Sequence, residues 1–167
     1  MKDFMQGERC ISFDPIVCED SEILILGTYP SLKSFETGFY YAHPQNQFWK
    51  ILGDLFDEET GSIASKKALL KAHKIALWDT CHSCIRKEGN SSDTNLSAIE
   101  PNDIASLLKK YSAIRLVCFT GKKAESIYRK HFADLPIATA SLPSPSPAYR
   151  AMDYETKKTL YKVVLLG

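Results

Sequence analysis

The side chains best suited to chemistry lie in residues 37–50, a polar stretch that carries aromatic rings together with His43 and Asn46. We call this stretch, TGFYYAHPQNQFWK, the aromatic segment. The face of an aromatic ring can stack on a nucleic-acid base, a contact worth about 1–3 kcal/mol. The Asn46 amide both donates and accepts hydrogen bonds, so it can orient a water molecule or read a base edge. Alternatively, the rings only cover the end of a sheet, and we expect Phe48 and Trp49 to be core residues of a helix.

A second candidate is the stretch 141–150, SLPSPSPAYR, which we call the serine–proline loop. Its three prolines stand at alternate positions and favour a stiff, extended backbone. Its serine hydroxyls and its backbone N–H groups can hold phosphate groups without a large net charge. The alternative is a rigid surface turn that binds nothing.

A third candidate is Asp79, which ends the apolar run KIALWD. An ionised carboxylate only accepts hydrogen bonds, so Asp79 can take an N–H from the edge of a base. The alternative is an acid that caps a helix or lies in a loop.

The pair Cys81 and Cys84, spaced C-x-x-C, allows three interpretations. A thioredoxin-like redox pair would need a context that the rest of the chain lacks. A metal or iron–sulfur site would need more ligands, for which Cys10 and Cys18 are available at poorly fitting spacings. We therefore expect reduced, partly buried thiols and no bound metal.

The elements that position these residues follow from apolar runs that alternate with helix-like stretches. Four runs predict buried strands, at Glu22–Gly27, Lys74–Asp79, Ile114–Thr120 and Leu135–Ala140. Helices are predicted at Asn46–Phe56, at Asn102–Tyr111 after Pro101, at Lys122–His131, and at Asp153–Leu166 with Asp153 as a cap. The alternation predicts an α/β fold, a three-layer α/β/α sandwich around a four-stranded parallel sheet, in one domain over residues 1–167. Ligands of such folds bind at the carboxyl ends of the strands.

Bulk composition excludes some classes of protein without identifying the function. The 167 residues include 21 Lys+Arg against 20 Asp+Glu, so any phosphate contact must come from a local arrangement of groups. No apolar run reaches the length of about 18 residues that a membrane span needs. Residues 1–9 lack the apolar core of a signal peptide, and the five cysteines are an odd number that argues against a disulfide framework. We expect a cytoplasmic monomer.

The aromatic segment resembles the mismatch-specific branch of the uracil-DNA glycosylase superfamily, which carries G-F-x-[FY]-A-H-P-x-N-x-F-W after its first strand. The tyrosine-rich form YYAHPQNQFW is more similar still to the hypoxanthine-DNA glycosylase branch. The serine–proline loop resembles the superfamily's second motif, H-P-S-P-L-S, with Leu142 in place of the histidine. That replacement removes the histidine that would stabilise negative charge on the leaving base.

The superfamily's first motif, G-x-[DN]-P, corresponds to Gly27-Thr28-Tyr29-Pro30. Tyr29 stands where an acid or amide would position the attacking water, and a phenol with a pKa of about 10 is a poor base at neutral pH. The hypoxanthine branch also has an aromatic residue there and uses the asparagine of the aromatic segment. The resemblance therefore implies that Asn46 is catalytic.

The resemblance implies an enzyme that flips a deaminated base out of DNA and hydrolyses its bond to the sugar. Asn46 would hold the water, and His43 would stabilise the leaving base unless its role is structural. Tyr41 would stack on the base, while Tyr29 and Asp79 would contact it. The residues implied in DNA binding are Ser31, Ser144, Ser146, Tyr149 and Arg150, the last two as candidates to fill the gap left by the flipped base.

The implied glycosylase is monofunctional, since the motifs contain no activated lysine for Schiff-base chemistry, and it needs neither cofactor nor metal. It would leave an abasic site. Two other functions stay open. One is a glycosylase that acts mainly on uracil or mismatched thymine, and the other is a non-catalytic lesion-binding protein on the same fold.

Overall fold

The computed structural model describes residues 9–87 and 96–167. The strands are β1 (Arg9–Ile11), β2 (Ile23–Gly27), β3 (Ile75–Asp79), β4 (Cys81–Arg86), β5 (Leu96–Pro101), β6 (Leu116–Thr120) and β7 (Ala138–Leu142). The helices are α1 (Leu32–Thr37), α2 (Phe48–Phe56), α3 (Ile63–Ala72), α4 (Ile104–Lys110), α5 (Lys122–Phe132) and α6 (Tyr154–Leu166).

The central sheet has four parallel strands in the order β3-β2-β6-β7. The side chains of β2 alternate between its two faces, as pleated strands require. Ile23 and Ile25 pack with residues of α2, α3 and α6, whereas Leu24 and Leu26 pack with residues of α4 and α5. Helices thus cover both faces of the sheet, and the predicted α/β sandwich with a four-stranded parallel sheet is confirmed.

Proline shifts the fourth strand from its predicted place. Pro136 has no N–H to donate to the strand ladder. The next N–H, that of Ile137, donates to the Leu135 carbonyl 2.9 Å away, in a turn. Pairing with β6 therefore begins only at Ala138 and continues to Leu142. The first two residues of the predicted serine–proline loop are strand residues, and we keep that name for residues 143–150.

Two helices begin later than the sequence predicts. Pro101 ends strand β5, and α4 starts at Ile104 behind the cap Asp103, whose carboxylate accepts the Ser106 N–H at 3.1 Å. Helix α2 starts at Phe48 because Asn46 uses its side chain in the turn that precedes the helix. The predicted cap Asp153 is confirmed, since its carboxylate accepts the Thr156 N–H at 2.8 Å.

Three elements were not predicted: the short helix α1, helix α3, and an antiparallel sheet in the order β1-β4-β5. Helix α3 has only a weak apolar periodicity in its sequence, because it buries only Leu69 and Leu70. Strand β4 follows β3 after the single residue Thr80. The antiparallel sheet therefore continues directly from the carboxyl end of a central strand, the end where a site is expected.

The helices are of ordinary length for a small α/β protein. The longest, α6, has 13 residues, and α5 has 11. Within residues 9–87 and 96–167, none is long and apolar enough to cross a lipid bilayer.

Helix α2 carries the aromatic segment's asparagine turn, so its packing is a test of the fold. Leu52 is wholly buried, whereas Leu166 is 50% exposed. Leu52→Ala should lower the free energy of unfolding by about 2–5 kcal/mol, because it removes buried methyl groups and leaves a cavity. Leu166→Ala, the matched control, should change it by no more than about 0.5 kcal/mol. Urea titration of both variants measures the difference, and equal values would contradict the packing.

Candidate active site

The floor of the site is the place where β2, β3 and β6 end side by side. Gly27 pairs with Asp79 in the parallel ladder, and Thr120 ends the strand on the other side. A Cβ atom on Gly27 would lie 2.7 Å from Oδ1 of Asp79 and 3.0 Å from the hydroxyl of Tyr41. The missing side chain therefore lets a carboxylate and a phenol both approach the end of β2, and Asp79 is buried there at 4% exposure.

Tyr41 reaches this floor from the aromatic segment, with a backbone φ of 51° in the left-handed region. Its ring stacks on Phe48, with centroids 3.9 Å apart and planes 18° from parallel. Its hydroxyl lies 3.0 Å from Oγ1 of Thr120, which is itself 3.3 Å from the Leu26 carbonyl. Either hydroxyl of this pair can be the donor. The Phe48 ring thus covers one face of the Tyr41 ring.

Asn46 is held in a turn between Tyr41 and helix α2. Its Oδ1 accepts the Phe48 N–H at 2.9 Å, and its own N–H donates to the His43 carbonyl at 2.9 Å. Tyr41, His43 and Asn46 line one open cleft of about 590 Å³. Because Oδ1 is anchored, the plane of the amide is set, and its NH₂ group is left to hold a water molecule.

His43 is half-buried beside this turn, and its Nδ1 accepts the Gln45 N–H at 3.1 Å. An imidazole nitrogen that accepts a hydrogen bond carries no hydrogen, so the neutral ring is protonated at Nε2. His43 can therefore donate from Nε2 to a ligand in the cleft.

The serine–proline loop is joined to the aromatic segment by the backbone. The Gln47 N–H donates to the carbonyl of Pro145 at 2.9 Å, one residue after Asn46. At the far side, Ser144 packs against Gly121, where a Cβ atom would lie 3.4 Å from the Ser144 Cβ. The loop is therefore seated between the end of β6 and the start of α2.

Two local turns shape the loop itself. The Ser144 hydroxyl oxygen accepts the Ser146 N–H at 3.2 Å, and the Ser146 oxygen accepts the Ala148 N–H at 3.2 Å. Each hydroxyl keeps its own hydrogen, which can be donated to a phosphate oxygen. Tyr149 is half-buried and Arg150 is exposed, and both line a second cleft of about 380 Å³.

Two predicted site residues lie apart from this group and have structural contacts of their own. The Tyr29 hydroxyl donates to the Cys10 carbonyl at 2.6 Å, and its ring packs edge-on against Phe35. Burial, with the thiols of the antiparallel sheet, raises the pKa of Tyr29 far above its ordinary value, so it stays a neutral phenol. Ser31 caps α1 by accepting the Ser34 N–H at 3.1 Å.

The cysteines are free thiols. Cys81 and Cys84 are buried, and the Cys81 thiol donates to the Ser83 carbonyl at 3.2 Å. Burial raises the pKa of Cys118 to about 12. In the part of the chain that the structure describes, no cluster of His, Cys, Asp or Glu side chains could hold a metal ion.

Sequence reasoning missed Asn102, which holds the backbone of the candidate base reader. It is 3% exposed and donates from Nδ2 to the Asp79 carbonyl at 2.7 Å. Its Oδ1 lies 3.0 Å from Nδ1 of His82, on strand β4. Only the fold brings residues 79 and 102 together, so no local pattern marks this contact.

Comparison with known proteins agrees with this geometry. A family model described as the uracil DNA glycosylase superfamily matches residues 15–166. A hypoxanthine DNA glycosylase of Methanosarcina barkeri is 36% identical over 147 residues, which cover 87% of this chain and 80% of the relative. A hypoxanthine DNA glycosylase of Methanosarcina acetivorans is 36% identical over 140 residues, covering 83% of this chain and 87% of the relative.

The fold has a solved counterpart as well. The solution NMR structure of a candidate uracil DNA glycosylase from Methanosarcina acetivorans superimposes with a TM-score of 0.79 at 33% identity, covering 94% of this chain and 96% of that one. The match to the family model includes both the aromatic segment and the serine–proline loop, so the predicted resemblance is confirmed. This chain belongs to the uracil DNA glycosylase superfamily.

Proposed function

We propose that the protein removes hypoxanthine from DNA by hydrolysing the bond between base and sugar, leaving an abasic site. The observation that carries the proposal is the close approach of both Asp79 and Tyr41 to Gly27, at the end of the sheet where the superfamily's first motif lies. The relatives named hypoxanthine DNA glycosylases support the choice of base.

Base recognition follows from the two groups on this floor. A base inside a duplex is out of reach, so the nucleotide must be extruded, at a cost of a few kcal/mol that a mismatch reduces. The ring face of Tyr41 that is turned away from Phe48 stacks on the extruded base. The Asp79 carboxylate accepts the N1–H of hypoxanthine, and burial strengthens that hydrogen bond by excluding water.

The turn that holds Asn46 then positions the water for hydrolysis. The anchored amide holds a water molecule against the anomeric carbon while the sugar develops oxocarbenium character. As the carbon–oxygen bond forms and the bond to the base breaks, the proton that the water loses ends on the departing base, which leaves neutral. Negative charge grows on the departing base, and the Nε2–H of His43 donates a hydrogen bond to it. The hydroxyls of Ser144 and Ser146 bind the flanking phosphates, with Tyr149 or Arg150 entering the space that the base leaves.

Uracil is the second candidate base, because its N3–H fits the same carboxylate. Matched duplexes that contain one deoxyinosine or one deoxyuridine, treated with protein and then with alkali, separate the two. We expect strand scission at deoxyinosine and slower scission at deoxyuridine. Scission at deoxyuridine alone would replace the proposed base, and no scission on either duplex would leave the lesion-binding alternative.

Asn46→Ala should slow single-turnover cleavage by about 10²-fold, because the attacking water loses the group that positions it. Asn46→Asp is the matched control for folding, since its carboxylate can still accept the Phe48 N–H. Both variants should melt within a few degrees of the wild type. If Asn46→Ala cleaves as fast as the wild type, the catalytic assignment is wrong.

Asp79→Asn should lower kcat/KM on the deoxyinosine duplex by about 10–150-fold, because it replaces a charge-assisted hydrogen bond of about 1.5–3 kcal/mol. Asp134→Asn makes the same change of charge at an exposed position and should leave kcat/KM as it is. Equal kcat/KM for the two variants would contradict the assignment of Asp79 as the residue that reads the base.

A further inference from the structure

Lys157, in the first half of α6, is a buried lysine at 2% exposure. Its Nζ donates to Oε1 of Gln47 at 2.9 Å and to the carbonyl of Tyr149 at 3.1 Å. The same nitrogen stands 5.1 Å from the centroid of the Tyr149 ring. Its contacts are therefore shared between the aromatic segment and the serine–proline loop.

No carboxylate of the described residues lies within ion-pair distance of this amine. Some other lysines have such partners, as Lys50 does in Asp54 at 3.2 Å and Lys158 in Glu155 at 3.2 Å. Burial lowers the pKa of Lys157, as expected where a charge is held away from water. A buried charge that meets only neutral oxygens is costly to a folded protein. A lysine at this position therefore indicates a role other than stabilising the fold.

The two groups that Lys157 holds are the two halves of the site. Gln47 directly follows Asn46, and its N–H donates to Pro145 of the serine–proline loop. Lys157 adds a second link, between the Gln47 side chain and Tyr149, at the other end of that loop. It also lines the cleft of about 380 Å³ together with Ser146 and Arg150.

We propose that Lys157 is a positioning residue that keeps the Asn46 turn in register with the serine–proline loop, and that a DNA phosphate supplies its missing counter-charge. The catalytic part rests on the proposed function, whereas the phosphate part needs only that the protein binds DNA. In free protein the charge has hydrogen-bond acceptors alone. In the complex, a phosphate held by Ser146 and Arg150 brings negative charge to the cleft that Lys157 lines.

The test uses Lys157→Met, which keeps the length of the side chain and removes the charge. An apolar replacement of a buried charge is often neutral or stabilising, so the melting temperature should stay the same or rise. The dissociation constant for an undamaged duplex should increase about tenfold, and the slope of log affinity against log salt should flatten by up to about 0.9. Single-turnover cleavage of the deoxyinosine duplex at saturating enzyme should also slow about tenfold, because Asn46 loses its register.

Lys162→Met is the matched control, an exposed lysine on the same helix with the same change in net charge. It should leave the melting temperature, the affinity and the cleavage rate unchanged. Lys157→Gln separates charge from hydrogen bonding, since its amide still donates, and it should weaken DNA binding as Lys157→Met does.

Three results would overturn the proposal. One is wild-type binding and cleavage by Lys157→Met. A second is a melting temperature that falls by more than about 5 °C, since the amine would then serve the fold itself. A third is wild-type affinity of Lys157→Gln. If wild-type protein fails to cleave deoxyinosine, the assignment of hypoxanthine as the substrate base is wrong. The affinity and salt measurements still test whether a DNA phosphate pairs with Lys157.

Discussion

Close packing around Gly27 is the constraint on which the rest of the site depends. The Asp79 carboxylate and the Tyr41 hydroxyl both approach the position that a Cβ atom would take. Each is held from a different direction: Tyr41 by Phe48 and Thr120, and the backbone of Asp79 by Asn102. Any larger residue at position 27 would push one of them away. A glycine at the end of a central strand thus sets the spacing between the Tyr41 hydroxyl and the Asp79 carboxylate.

The two sheets contribute different parts of the site, and they are joined through the single residue that separates β3 from β4. The parallel sheet carries Asp79, whose backbone is held by Asn102, the residue that follows β5. Asn102 in turn contacts His82 of strand β4. Tyr29 belongs to this supporting structure, since its hydroxyl is bonded to the backbone of β1. The aromatic residue in the first motif therefore links the end of β2 to the antiparallel sheet.

Much of this arrangement could be predicted from sequence, because local patterns decide it. The apolar runs predicted the central strands, and the aromatic segment and the serine–proline loop predicted the family. What could not be predicted depends on distant contacts or on weak periodicity. Helix α3 buries only two leucines, Asn102 meets Asp79 only through the fold, and Lys157 looks like any surface lysine of an amphipathic helix. The fourth strand moved because Pro136 interrupts its ladder, a local effect that the apolar run conceals.

The stiffness of the serine–proline loop has a consequence for how the protein finds DNA. With 21 basic and 20 acidic residues, the chain has little long-range attraction for a polyanion, and encounters will be slower than for a strongly basic protein. Three prolines and two serine turns set the loop before contact, so little chain entropy is lost on binding. Under the proposed function, discrimination between damaged and undamaged DNA would rest on fit at short range.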